Sequence, residues 1–228
     1  MLQLVCYFLY MGIQLSFWSG VYGPSLANTL DFDDPKALTG LHGILIGVGE
    51  IVAGLVFGVF GHVTNKYGRY PVVVLGSVLQ LTSIILIVLN IPKRAVFGET
   101  SDLPILGSAN EGIALACSVM LGFGDACYNT QTMSLLAGVY PDRAGPAFAI
   151  FKFVQCVAAA AGFFYSGEID LFVQGGISGG LMVIGTIFFV KIDIQTRRKA
   201  AKKESTIKLE SDDVKVESVR QIGEDDKL

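Results

Sequence analysis

GIALACSVMLGFGDACYNTQTMSLLAGVY, residues Gly112 to Tyr140, is an apolar run of membrane-crossing length with a carboxylate, Asp125, near its middle. A carboxylate at the centre of a membrane helix costs about 2.5–3.5 kcal/mol on insertion scales, so it is expected to face other helices or a cavity and to mark function. Tyr128, Asn129 and Thr132 follow Asp125 at helical spacing, which predicts one polar stripe along one hydrophobic helix.

The flanking sequence repeats the pattern. The chain has 228 residues, 52% of them hydrophobic and 11% aromatic, with a mean hydropathy of +0.56. Nearly half of its charged residues fall in the last 33 positions. Such depletion over apolar runs is the signature of a polytopic, all-α membrane protein. Spans are expected at about residues 4–27, 41–63, 70–91, 113–138, 146–166 and 171–190, followed by a disordered charged tail over 196–228. Residues 1–195 then form one six-span half-bundle. Transmembrane strands would alternate polar and apolar residues, and these runs do not.

Lys66, Arg69, Arg143, Lys191, Arg197, Arg198, Lys199, Lys202 and Lys203 fall on one side of the six spans, against Lys36, Lys93 and Arg94 on the other. That excess places both termini in the cytosol. Cys6, Cys117, Cys127 and Cys156 lie inside apolar runs without zinc-binding spacing and read as small packing residues, so no metal is expected. The lipid bilayer is the expected partner; nothing points to nucleic acid.

Glu50 lies in span two among Gly43, Gly47, Gly54 and Gly58, a face of small residues that lets helix backbones approach closely in lipid. At ~1.5 Å per residue, Glu50 and Asp125 both sit roughly 18–20 Å from the cytosolic end. Gln14 lies at similar depth, and Asn129 and Gln155 somewhat nearer the cytosol, so these five residues are the candidates for substrate or ion binding. Interhelical hydrogen bonding without transport would produce the same pattern. Lys152, two turns into span five, is expected to snorkel to the interface, with a cation near Asp125 as the alternative. Trp18, Tyr22 and Tyr165 are expected as interfacial anchors.

The loop GHVTNKYGRY, Gly61 to Tyr70, places Gly61, Asn65, Lys66, Gly68 and Arg69 in the order G-x-x-x-(D/N)-(R/K)-x-G-R between two spans. Its glycines permit a tight turn, and its cations can cap helix ends or pair with an acid on a neighbouring helix. This pattern resembles the loop after the second helix of each half in the major facilitator superfamily. FWSGVYG, GILIGVGEI, YGRYPVVVLG, LGFGDACYNTQ and PAFAIFKFVQ further resemble the second half of Unc-93-like major facilitator proteins. Asn65 stands where many superfamily members carry Asp.

That resemblance implies the C-terminal half of a twelve-span transporter fold, with secondary transport of an unidentified solute through a mid-membrane polar site. A second six-span half, or a second copy as a homodimer, would complete it. The alternatives are a non-transporting adaptor or regulator of a channel or receptor, which would bind another membrane protein, and a truncated product of a twelve-span protein. No hydrolase, kinase or dinucleotide signature occurs, so neither an enzyme nor a cofactor is expected.

Overall fold

The structure, a computed structural model, describes residues 2–59 and 68–225, with side chains at 4–57, 59, 68–202, 205 and 206. The chain is all-α. Its helices are α1 (Leu2–Ser16), α2 (Gly23–Asn28), α3 (Pro35–Val59), α4 (Tyr70–Asn90), α5 (Glu111–Val139), α6 (Ala144–Tyr165) and α7 (Leu171–Asp225). A π-helical turn, Phe17–Tyr22, joins α1 to α2, so among the described residues these seven helices make six rods.

Five rods are long and apolar enough to cross a membrane: Leu4–Asn28, Pro35–Phe57, Tyr70–Asn90, Pro141–Tyr165 and Leu171–Lys202. The sixth is α5, with 29 residues and therefore about 43 Å long. Asp125, Asn129, Thr130, Gln131 and Thr132 make it more polar than the others. A helix sandwiched between neighbours tolerates this because its polar groups meet protein and not hydrocarbon.

Helix boundaries follow local chemistry. Helix α3 begins at Pro35, before the expected residue 41, because Pro35 suits the first helical turn and Asp34 Oδ1 accepts from Ala37 N at 3.1 Å. Asn110 caps α5 by accepting from Ile113 N at 3.0 Å. The Asn90 side chain also brackets the Asn110 backbone, donating to its O at 2.9 Å and accepting from its N at 2.8 Å, which ties the end of α4 to the start of α5. Asp170 Oδ1 accepts from Phe172 N and Val173 N at 3.0 Å each and starts α7 after a tight turn.

Helix α7 runs on to Asp225, through the charged segment expected to be disordered or at most a frayed helix continuing span six. The segment is acidic and basic by turns but rich in Lys, Glu, Ala and Arg, all strong helix formers, and it holds no proline.

Packing is quasi-symmetric. Helix α5 packs on α3 and α4, α1 packs on α6 and α7, and α4 meets α7. Exchanging rods one, two and three for rods four, five and six maps these contacts onto themselves, as an inverted 3+3 repeat within one half of a major facilitator protein requires.

Two of the tight crossings in this arrangement, α3 on α5 and α1 on α6, use a glycine from each helix. Between α3 and α5, a side chain at Gly49 would strike Val119 O and lie 2.8 Å from Phe123 N, while one at Gly122 would strike Ile46 O. Between α1 and α6, a side chain at Gly12 would strike Gln155 O and lie 2.5 Å from the Ala158 side chain, and one at Gly162 would strike Ser16 Oγ. The expected packing set needs correction here, because Gly43, Gly47 and Gly54 meet nothing within 4 Å of where a side chain would begin. They sit on the open side of α3 that also carries Glu50, beside exposed Ile44, Ile51 and Leu55. Gly58 lies outside the residues whose surroundings are described.

Candidate functional site

The polar face centres on Asp125. Its Oδ2 accepts from Asn129 Nδ2 at 2.8 Å, one turn further along α5. Asn129 Oδ1 accepts from Lys152 Nζ at 3.2 Å, and the same ammonium donates to Gln155 Oε1 at 2.8 Å. It also lies 4.7 Å from the centre of the Phe151 ring, within cation–π range. An acid on α5 and a base on α6 are thus joined through one amide. Lys152 is not a snorkelling residue: its stem turns along α6 towards Asn129 and Gln155.

Glu50, half-buried on α3, lies within electrostatic range of Asp125. Asp125 and Asn129 are also half-buried, and Lys152 is exposed. The four groups therefore open onto one face of the bundle formed by α3, α5 and α6. Two carboxylates and one ammonium meet there at similar depth.

The expected stripe along α5 divides. Asp125 and Asn129 open outward, whereas Tyr128 and Thr132 are buried towards α1 and α4. Tyr128 donates to Ser77 Oγ at 2.9 Å, Ser77 shares a 2.7 Å bond with Thr186 Oγ1, and Thr132 Oγ1 donates to Tyr128 O at 2.6 Å. Tyr7 and Tyr10 meet the Tyr128 ring edge-on, Phe189 packs against Tyr7, and Tyr10 donates to Gln80. The reason is geometric: positions i+3 and i+4 fall on opposite sides of residue i, about 100° apart.

Gln14 does not join the Asp125 face. It is fully buried on α1 and accepts from Ser178 Oγ of α7 at 2.9 Å, so it is turned towards α7. Gln155, also buried, reaches the face through Lys152.

Gly61, Asn65 and Lys66 of the loop motif lie outside the described residues. Gly68 and Arg69 are described. Gly68 adopts φ +97°, a left-handed conformation that favours glycine. Arg69 Nε donates to Ser134 Oγ at 2.8 Å, and its guanidinium lies 3.5 Å from Asp193 Oδ1. Asp193 is the acid that the loop needs and that hydropathy missed. Its Oδ2 accepts from Arg69 N at 3.0 Å and Tyr70 N at 3.1 Å, capping α4 from α7.

His42 is a second residue without a sequence signal. Its Nδ1 lies 2.8 Å from Ser118 Oγ and its Nε2 3.2 Å from Trp18 O, with the ring edge-on to Tyr22. Trp18 O also accepts from Gly23 N, an i→i+5 bond of the π-helical turn, so His42 shares this carbonyl with the backbone. Tyr22 is fully buried and donates to Ala114 O at 2.8 Å, so it is an internal tie and not an interfacial anchor.

Comparison with known proteins places these features in a family. A protein-family model described as "Ion channel regulatory protein UNC-93" matches residues 1–190. The chain is 44% identical over 187 residues to the UNC93-like protein MFSD11 of Xenopus laevis, covering 81% of this chain and 42% of that one. It is 43% identical over 194 residues to the Xenopus tropicalis protein of the same name, covering 84% and 43%. The protein unc-93 homolog A of Mus musculus is 22% identical over 204 residues, covering 86% and 40%. The chain thus spans less than half the length of these relatives. No solved structure matches it.

Proposed function

This chain belongs to the UNC-93 family of multi-pass membrane proteins, and on that premise we propose that it forms the C-terminal six-helix half of a secondary transporter whose polar site centres on Asp125. The observation that carries the reading is the link from Asp125 through Asn129 to Lys152, open on the face of α3, α5 and α6. In this architecture a complete site lies between two halves related by an axis along the membrane normal. The partner half, with both termini on the cytosolic side, closes over that face.

The chemistry is a charge balance. In a low-dielectric site, Asp125 and Glu50 repel one another, and Lys152 supplies the counter-charge through Asn129. A proton or cationic group arriving at the carboxylates relieves the repulsion and loosens the tether to α6. Occupancy is thereby coupled to the α5–α6 contact, the kind of differential interaction that biases a two-state motion.

The family description favours a second reading, a non-transporting regulator of an ion channel. The surface for it is the open side of α3, where Gly43, Gly47 and Gly54 stand clear and a partner helix could approach closely. One experiment separates the two. Full-length protein in liposomes is given a proton gradient and a set of labelled small cations and zwitterions, and flux is compared with the Asp125→Asn variant. The transport reading expects a loss of at least roughly tenfold, the cost of about 1.4 kcal/mol in the bound state. Equal flux in both proteins overturns it. Absence of flux in both, with channel regulation intact in the variant, selects the regulator.

A further inference from the structure

Away from the Asp125 face, the outer surface of α4 and α7 carries a groove of about 470 Å³. Leu81, Ile85, Val88 and Val183 line it, and Gly176 and Gly180 form part of its floor. Gly175 and Gly179 bring the helices together, with a side chain at Gly175 meeting Val88 at 3.1 Å. Gly176 and Gly180, one position on, have nothing within 4 Å of where a side chain would start. The surface there is concave because four small residues stand where larger ones would fill it.

The groove does not end in hydrocarbon. Phe172 lines both it and an adjoining cavity of about 350 Å³ whose walls include Lys93, Asp102, Leu103 and Pro104. A wholly apolar trough therefore opens, past one aromatic ring, into a mouth carrying one exposed cation and one exposed anion. Along α4 the apolar part runs from Leu81 to Leu89, about 12 Å, close to the roughly 15 Å depth of one leaflet's hydrocarbon. The mouth follows directly after α4 ends at Asn90, where the headgroup layer lies if α4 spans the bilayer.

We propose that this groove seats one zwitterionic glycerophospholipid, with an acyl chain over Gly176 and Gly180, the phosphate beside Lys93 and the headgroup ammonium beside Asp102. The paired opposite charges complement a headgroup that carries both signs, whereas an anionic lipid would meet Asp102 unfavourably.

The test uses the full chain, stripped of lipid in detergent and offered equal amounts of dioleoylphosphatidylcholine and dioleoylphosphatidylglycerol, with retained lipid counted by native mass spectrometry. The expected result is one phosphatidylcholine per chain. The Gly176→Leu/Gly180→Leu variant, whose new side chains enter open space, is expected to keep its melting temperature and lose about tenfold in retention. Asp102→Asn is expected to abolish the preference for the zwitterionic lipid while leaving the groove intact. Equal retention of both lipids by the parent chain means an ordinary lipid annulus and overturns the proposal. So does undiminished retention in the leucine variant, or protection of the groove by a second copy of the chain.

Discussion

Replacing Gly122 with leucine is expected to prevent α3 and α5 from docking. A side chain there must occupy the place of the Ile46 carbonyl, which belongs to helix backbone and cannot rotate aside. Overpacking that side-chain rearrangement can relieve costs about 1–3 kcal/mol, and a clash with backbone exceeds that range. The expected outcome is a fall of about 10 °C or more in the melting temperature in detergent, or loss of the monodisperse species altogether. Gly54→Leu on the same helix pair is the control. Nothing lies within 4 Å of a side chain at that position, so its melting temperature is expected to stay within about 2 °C of the parent. Equal effects of the two substitutions would show that the crossing is not built on facing glycines.

The second large effect is expected at Asp193. This carboxylate has no solvent exposure, pairs with Arg69 and accepts from two backbone N–H groups at the start of α4. Asp193→Ala leaves two backbone donors without an acceptor and removes the carboxylate beside the part-buried Arg69 guanidinium, which keeps its bond to Ser134, a loss of about 3 kcal/mol. Asp193→Asn keeps an oxygen for the backbone donors but removes the charge, so it is expected to lose roughly half as much. Thermal unfolding of the three proteins in one detergent checks the order. Parent-like melting of the alanine variant would mean that the α4–α7 corner is held by something else.

Much of this architecture was legible because a bilayer imposes a strong rule: a helix that crosses it must be long and apolar, and most of the six rods announce themselves that way. Asp125 and Glu50 were legible for the converse reason, since an acid in such a run is conspicuous. Direction around the helix axis was not. Gln14 shares the depth of Asp125 yet faces α7, and Tyr128 and Thr132 turn inward while Asn129 turns outward. Residue spacing alone separates these cases by only about 100°, and the neighbouring helices decide which side is interior. The glycines show the same limit. Gly43, Gly47 and Gly54 have the more regular spacing, but Gly49 makes the contact because its partner Gly122 lies opposite.

Asp193 was hidden by hydropathy itself. Lys191 and Asp193 break the apolar run, so the last span was expected to end at residue 190 although the helix continues. His42 was hidden because a single histidine near a span boundary has no pattern, and its partners, Ser118 and the Trp18 carbonyl in the π-helical turn, lie far away in sequence.

The central claim is that Asp125 and Asn129 open onto a polar face that the rest of the protein closes into a water-filled site, while Thr132 on the same helix is interior. Reactivity of single cysteines tests this most directly. In a cysteine-free background of the full-length protein in liposomes, Asn129→Cys and Thr132→Cys are exposed to a charged, membrane-impermeant thiol reagent. The geometry predicts labelling at position 129 and protection at position 132. An inert cysteine at 129, or labelling at 132 as fast as at 129, would contradict it.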